Sequence, residues 1–190
     1  MKEEEVNRCQ IQEWYPKFKY TTIKTIIHEL PESFIQYLLD DSEQESDDES
    51  EQLPLPPLFP ELESQINESI KTLGCAIFPK LNWTSPKDSA WINSTGTLKC
   101  TSFIKISILL KSSDSLLHDL CHVHDLCNDC NAPRPDHFFL ALQKWYPSLH
   151  PEMEFRCFVR NHILVGISQR EVTWFYSILI EKKHELETGI

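Results

Sequence analysis

A central segment, residues 40–57, is too acidic and too rich in proline to take part in a folded core. Its first twelve positions hold eight aspartate or glutamate side chains and no lysine or arginine, and it ends in Leu-Pro-Leu-Pro-Pro. Such a composition buries too little apolar surface to offset the conformational entropy that ordering would cost. The sequence therefore predicts a disordered acidic loop at 40–57, with folded segments on both sides of it.

The same segment carries most of the charge of the 190-residue chain. Subtracting its eight negative charges from the net charge of −11 leaves only −3 for the rest, and no basic footprint for nucleic acid is present. No apolar run approaches the ~20 residues that span a bilayer, and the polar start MKEEEVNRCQ is unlike a signal or transit peptide. Seven cysteines, an odd number, indicate reduced thiols. We therefore expect a cytoplasmic protein that binds other proteins.

Hydrophobic periodicity predicts a mixed order of helices and strands. Helices are expected at 3–14 (limited by Pro16), 31–39, 60–74, 101–110 and 172–186, with a strand as the alternative at 101–110. Strands are expected at 21–30, 75–81, 137–145, 154–160 and 163–169, the last two forming a hairpin around Asn161-His162. Antiparallel hairpins without regular βαβ units predict an α/β chain of the α+β type.

Glycine is scarce, which limits the ways in which this chain could bind a phosphate. Four glycines, none of them clustered, cannot build a P-loop or a G-x-G-x-x-G turn. Charged side chains would have to do this work, and Lys80 at the end of an apolar strand is the first candidate. The loop at 82–87 follows it with further donors, namely Asn82, Thr84, Ser85 and Lys87. The alternative is a Lys80 that reaches the surface beside a structural Trp83.

A second group of polar residues lies on the predicted hairpin. Glu154, Arg156 and Phe158 alternate onto one face of a strand, and Arg170 ends the next strand. Arg156 and Arg170 could therefore hold phosphate oxygens together, whereas the alternative is an ion pair of Glu154 with Arg156. The preceding segment at 140–146 could bind an adenine edge through its backbone, or could equally be a core strand.

Two further clusters have alternative interpretations. Cys121, His124, Cys127 and Cys130 could bind zinc, but only one C-x-x-C pair is present and an exposed, poorly ordered loop is the other interpretation. An aromatic cluster near the N-terminus could dock a partner or could pack inside the fold. The members of this aromatic cluster are Trp14, Tyr15, Phe18 and Tyr20.

Several of these segments together resemble the cell division cycle protein 123 family of eukaryotes. The most specific is FPKLNWTSPKDSAWI at 78–92, and CQIQEWYP at 9–16, EFRCFV at 154–159 and GISQR at 166–170 add to it. The resemblance implies an ATP-grasp fold that clamps a nucleotide between antiparallel sheets. It also implies an assembly chaperone that acts on the gamma subunit of eukaryotic translation initiation factor 2, in translation initiation and cell-cycle progression. Residues 1–75 would supply N-terminal lobe elements and 76–190 the nucleotide-binding region.

The resemblance also implies roles for individual positions, with ATP as the bound nucleotide, Mg²⁺ as its metal and no catalytic residue. Lys80 and the loop at 82–87 would bind phosphates, and a hinge at 143–145 would meet adenine. Glu154 would lie near the ribose or the hinge, and Arg156 and Arg170 near the phosphates. The implied binding residues are Lys80, Asn82, Trp83, Ser85, Lys87, Gln143, Lys144, Trp145, Glu154, Arg156 and Arg170.

One departure from the family concerns the metal. In the family the chain continues into a strand with an aspartate and an Asp-x-Asn-Pro motif, whose oxygens hold magnesium. No such segment lies between Arg170 and Ile190, so we expect a truncated chain with an incomplete second lobe and without the Mg²⁺ ligands. Two other functions are alternatives: an ATP-dependent carboxylate–amine ligase, and a zinc-stabilised interaction module.

Overall fold

The computed structural model describes residues 1–40, 59–129 and 132–189. Most of the predicted acidic loop and Cys130 lie outside the described residues. The chain forms two compact units, Met1–Trp145 and Tyr146–Ile190. The proposed division into 1–75 and 76–190 stays a prediction about domain organisation.

The first unit is built on a three-stranded antiparallel sheet. Its strands are β1 (Thr25–Leu30), β2 (Ile77–Lys80) and β3 (Phe138–Lys144), in the order β1-β3-β2. The central strand β3 is buried over most of its length, as its run of apolar residues predicts. All three strands are shorter than the segments that the sequence predicts, and β1 starts four residues later than expected.

Within the described residues, six helices and a 3₁₀ helix complete the first unit. They are α1 (Glu3–Asn7), α2 (Ile11–Phe18), α3 (Glu32–Leu39), α4 (Pro60–Thr72), α5 (Phe103–Lys111) and α6 (Asp114–Cys121), with a 3₁₀ helix at Lys87–Ile92. The core joins Ile77, Leu140 and Leu142 of the sheet to Phe34 of α3 and Ile66 of α4. The segment at 101–110 is helical, as its periodicity predicts, and Ser102 caps it by accepting a hydrogen bond from the Lys105 amide.

The predicted single helix at 3–14, ended by Pro16, is wrong. The chain makes two helices with a break at Gln10, and Pro16 lies inside the second. The break is stabilised from outside, because the Ile11 amide donates to the Asn82 carbonyl over 2.8 Å and the Gln10 side chain accepts from the Asn82 amide. A tertiary contact thus sets this boundary, which local periodicity cannot show.

Gly74 ends α4 as expected. It has a φ of 100° and lies one residue beyond the helix cap, where the left-handed conformation suits glycine. The amides of Gly74 and Cys75 donate to the carbonyls of Lys71 and Ile70, the two hydrogen bonds of a Schellman motif. The helix α6, by contrast, is absent from the sequence-based prediction.

The second unit contains the predicted hairpin. Strand β4 (Phe155–Arg160) pairs with β5 (Ile163–Gln169), and Asn161 and His162 both have positive φ, as a tight two-residue turn requires. The predicted helix at 172–186 is wrong in its first five residues, since the helices are α7 (Ser177–Glu181) and α8 (Lys183–Gly189). Among the described side chains of this unit none is buried. No helix in the described part of the chain is long and apolar enough to cross a membrane.

Candidate functional site

Lys80 lies at the end of β2 on the sheet face that points away from the helical core. Residues opposite one another in an antiparallel pair share a face, and Lys80 pairs with Ala141 while Phe78 pairs with Gln143. Lys80 and Gln143 are therefore diagonal neighbours on the same face. The Lys80 ammonium is 6.0 Å from the centroid of the Trp14 ring, and the Lys80 side chain is half-buried. This placement brings together two of the predicted binding residues.

A buried carboxylate, Asp119 of α6, is the main residue that the sequence interpretation missed. Asp119 is 8% exposed and accepts hydrogen bonds from the side chain and the backbone of Thr84. Burial raises the pKa of Asp119, and the Thr84 bonds and the charges of His118 and Lys80 oppose that rise without cancelling it. Its Oδ2 atom is buried and has no hydrogen-bond partner among the described residues.

Asn82 holds the start of the loop in place. It is fully buried, and its Nδ2 donates to Gln10 Oε1 over 2.6 Å and to the His137 carbonyl over 3.3 Å. Its Oδ1 accepts from the Phe139 amide over 2.7 Å. These bonds engage the side-chain amide of Asn82 inside the protein. A contribution of Asn82 to ligand binding would therefore be to position the loop.

Among the remaining loop residues, some form hydrogen bonds within the protein and others are exposed to solvent. The Trp83 indole donates from Nε1 to the Val6 carbonyl over 3.0 Å, which ties the loop to α1. Ser85 is half-buried and Lys87 is exposed, so both side chains reach solvent. The next residue, Asp88, accepts from the hydroxyl groups of Ser113 and Ser115, at 2.6 and 2.7 Å, at the start of α6.

These contacts also set the charge state of Asp88. Burial raises the pKa of Asp88, but hydrogen bonds from Ser113 and Ser115 outweigh burial and hold the pKa below its usual value. Asp88 and Asp119 thus fasten the loop to both ends of α6.

The predicted adenine hinge is divided between the two sides of the sheet. Gln143 shares the Lys80 face, whereas Lys144 points to the other side, where its Cε would be 3.8 Å from a Cβ built on Gly74. The backbone amides of Lys144 and Trp145 donate to the carbonyls of Lys24 and Ala76, at 2.9 and 3.0 Å. Neither amide is open to a base, so Gln143 is the hinge residue best placed near Lys80.

In the second unit, the hairpin places its three charged candidates on one face. Arg156 pairs with Ser168 and Phe155 pairs with Gln169, so the register places Glu154 opposite Arg170. Arg156 is therefore the diagonal neighbour of Arg170 on that face. Glu154 forms its ion pair with Arg170, at 3.1 Å, and not with Arg156. Both carboxylate and guanidinium are about half exposed, so this pair adds little stability.

The cysteine and histidine cluster does not assemble a metal site among the residues that the structure describes. His124 is buried, with its Nδ1 3.3 Å from the Ala132 carbonyl and its Nε2 3.1 Å from Asn7 Oδ1. Both ring nitrogens are therefore within hydrogen-bonding distance of protein atoms. Within 1–40, 59–129 and 132–189, no three His, Cys, Asp or Glu side chains lie close enough together to hold a metal.

The N-terminal aromatic cluster separates into two pairs. Trp14 lies beside Lys80, and the Tyr15 hydroxyl accepts a hydrogen bond from the Thr25 amide over 2.8 Å. Phe18 and Tyr20 are instead 56% and 90% exposed. The first pair is part of the fold and the second pair is open to a partner.

Comparison with known proteins identifies the class and then the family. A solved structure described as "Structure of Cdc123 from Schizosaccharomyces pombe" is similar to this chain with a TM-score of 0.82 and 36% identity, over 98% of this chain and 72% of that one. The fold is therefore α+β and ATP-grasp-like, as expected. The D123 family model matches residues 39–190, and the chain belongs to the D123 family.

Curated relatives agree with this assignment. A protein of Xenopus laevis named "Translation initiation factor eIF2 assembly protein" is 40% identical over all of this chain and 63% of its own length. A protein of Schizosaccharomyces pombe with the same name is 38% identical, over 90% of this chain and 59% of its own length. The chain thus spans less than two thirds of the length of these relatives.

Proposed function

We propose that this chain belongs to an assembly chaperone for translation initiation factor eIF2 and that it holds ATP at Lys80. The relatives' names support the first part, since two of them at 38 and 40% identity are eIF2 assembly proteins. The placement of Lys80 and Gln143 on one face of the sheet, at the end of a strand, supports the second. A half-buried lysine that follows an apolar strand is suited to an anionic ligand.

The donors around Lys80 fit a phosphate-bearing ligand. Ser85 and Lys87 reach solvent from the loop that follows the lysine, and Trp14 offers an aromatic surface beside it. Within the second unit, Arg156 and Arg170 share a face of the hairpin and form a separate pair of donors suited to phosphate oxygens. The magnesium that accompanies ATP finds no cluster of ligands in the described part of the chain, so none of these residues is assigned to the metal.

Replacing Lys80 with methionine tests the ATP site, because methionine keeps much of the length of the side chain and removes its charge. We expect the affinity for ATP with magnesium to fall by about 10- to 100-fold, as for the loss of a charge-assisted hydrogen bond. Titration calorimetry of this chain and of the longer Xenopus laevis relative with the matching substitution measures the change. Lys99→Met, at an exposed lysine of the same unit, is the control. Equal binding by Lys80→Met and Lys99→Met would remove Lys80 from the site.

We further propose that the gamma subunit of eIF2 docks on Phe18 and Tyr20. Both side chains are exposed, and the Lys19 ammonium lies 4.9 Å from the centroid of the Tyr20 ring, so the patch joins apolar area with positive charge. Trp14 and Tyr15 are less suited to direct docking because they have contacts inside the fold.

Replacing both Phe18 and Tyr20 with alanine tests this surface. We expect binding to the isolated gamma subunit to weaken at least about tenfold, because exposed aromatic anchors each contribute on the order of 1–2 kcal/mol. The melting temperature should not change, since neither side chain is buried. Trp91→Ala, at another exposed aromatic residue, is the matched control. Full binding by the double variant would show that the gamma subunit contacts another surface.

A further inference from the structure

The helix α2 packs against β3 on the sheet face that carries Lys80. Successive side chains of a strand point to opposite faces, so Ala141 and Gln143 lie on the face turned away from the core residue Leu142. Ala141 and Gln143 are nevertheless only 0% and 7% exposed. Helix α2, whose Ile11 is fully buried, therefore forms a wall over this face beside the lysine.

Hydrogen bonds hold α2 in this position at two points. In its first turn, the Ile11 amide donates to the Asn82 carbonyl over 2.8 Å. One turn later, the Tyr15 hydroxyl accepts from the Thr25 amide over 2.8 Å. The helix is thus attached to the loop that follows β2 and to the first residue of β1. Trp14 lies between these two attachments, so its position relative to the sheet is set by both.

The Trp14 ring is the aromatic group that α2 brings to the lysine. Its centroid is 6.0 Å from the Lys80 ammonium, and both side chains are half-buried. Tyr15 supports the indole from the side in an edge-to-face contact, with centroids 6.3 Å apart. The face of an indole attracts a cation through its quadrupole. Because the ring carries no net charge, it attracts the ammonium without neutralising it.

We propose that Trp14 is a positioning residue for Lys80, which restricts the ammonium to the sheet face and leaves its charge available to a phosphate. The proposal rests on the proposed ATP site and deepens it, because it names the residue that preorganises the lysine of that site. A mobile lysine loses rotamer freedom when it binds a ligand, and a lysine already held by a ring loses less. This role differs from the partner contact that the sequence suggested for Trp14.

The first measurement needs no nucleotide. Protons above an indole face are shielded, so the ε-methylene protons of Lys80 should resonate upfield in the wild-type nuclear magnetic resonance spectrum. We expect this upfield shift to disappear in Trp14→Leu and to persist in part in Trp14→Phe, which keeps a smaller ring and is the second variant if the leucine protein does not fold. The ε-methylene protons of the exposed Lys99 are the internal control and should not move. Unchanged Lys80 shifts in folded Trp14→Leu would overturn the proposal.

The second measurement is a cycle of ATP affinities, by titration calorimetry with magnesium. We expect Trp14→Leu to weaken binding by about 3- to 10-fold and Trp14→Phe by less, since phenylalanine attracts a cation less strongly than tryptophan. In a Lys80→Met background, Trp14→Leu should change the affinity by less than about twofold, because Trp14 acts through the lysine. Trp91→Leu, at an exposed tryptophan, is the matched control and should bind as wild type does.

Two results separate this proposal from the site on which it rests. An equal loss of ATP affinity from Trp14→Leu with and without Lys80 would overturn the positioning role, since Trp14 would then act independently of the lysine. If the Lys80 proton shifts change as expected but the wild-type chain does not bind ATP, the proposed ATP site fails and the contact between Trp14 and Lys80 stands.

Discussion

Replacing Asn82 with alanine is expected to lower the free energy of unfolding by about 3 kcal/mol, because it breaks a buried network of hydrogen bonds. The substitution leaves the Phe139 amide and the Gln10 side chain without their partner, and burial prevents water from replacing it. It also leaves a small cavity at a site with no exposed surface. The cost is large because Asn82 connects α2, the loop after β2 and the start of β3.

Thermal unfolding followed by circular dichroism measures this effect, with an expected fall in melting temperature of roughly 10 °C. Asn128→Ala is the matched control, since Asn128 is exposed, and it should change the melting temperature by no more than about 1 °C. A cycle with Gln10→Ala adds a second check, because residues in one network are not additive. Additive losses from Asn82→Ala and Gln10→Ala would mean that the network does not couple these residues.

The sequence was sufficient to predict those features whose cause is local. The Asn161-His162 turn and the strands on either side of it depend on adjacent residues, and the structure has them where expected. Gly74 ends its helix because of its own backbone freedom. The α+β class followed from the order of elements, and the D123 match confirmed the family. For the same reason, the face shared by Arg156 and Arg170 could be predicted from the period of a strand.

The missed features depend on residues far apart in the sequence. The break between α1 and α2 depends on Asn82, which lies about seventy positions further along the chain. Asp119 is distinguished by its burial and by its hydrogen bonds with Thr84, and neither feature can be predicted from a single sequence. The helix α6 itself had a readable signal, since Ser113 is a good N-cap and Leu116 and Leu120 are spaced by one turn.

The site assignments changed in a related way. A strand lysine and a polar loop could be predicted as candidate ligand contacts from residue type alone. The side of the sheet on which each side chain lies could be assigned only from the register of the strands. The register puts Gln143 on the Lys80 side and Lys144 on the other, although the two are neighbours in sequence. The hydrogen-bond partners were needed as well, because Asn82 and Trp83 use their polar side-chain atoms in hydrogen bonds inside the protein. Residue type thus identified candidates, and geometry showed which of their polar atoms are already bonded inside the protein.

The hairpin of the second unit should be far less protected from hydrogen exchange than the central strand of the first. A two-stranded ribbon is marginal in water without a covering layer, and in this unit none of the described side chains is buried. Its apolar residues are open to solvent, as at Phe158 and Val165, which are 55% and 62% exposed. Little apolar burial therefore opposes opening of the β4–β5 hydrogen bonds.

Hydrogen–deuterium exchange of the 190-residue chain, resolved by nuclear magnetic resonance, measures this difference. The amides of Leu140 and Ala141 in β3 are the internal control, because β3 is paired on both sides. We expect their protection factors to exceed those of Arg156 and Ser168, which face each other in β4 and β5, by at least about a thousandfold, since a folded core is stabilised by about 5 kcal/mol or more. Hairpin amides as protected as those of β3 would show that the second unit is covered in solution, and that its exposed apolar residues are the interior of a larger assembly.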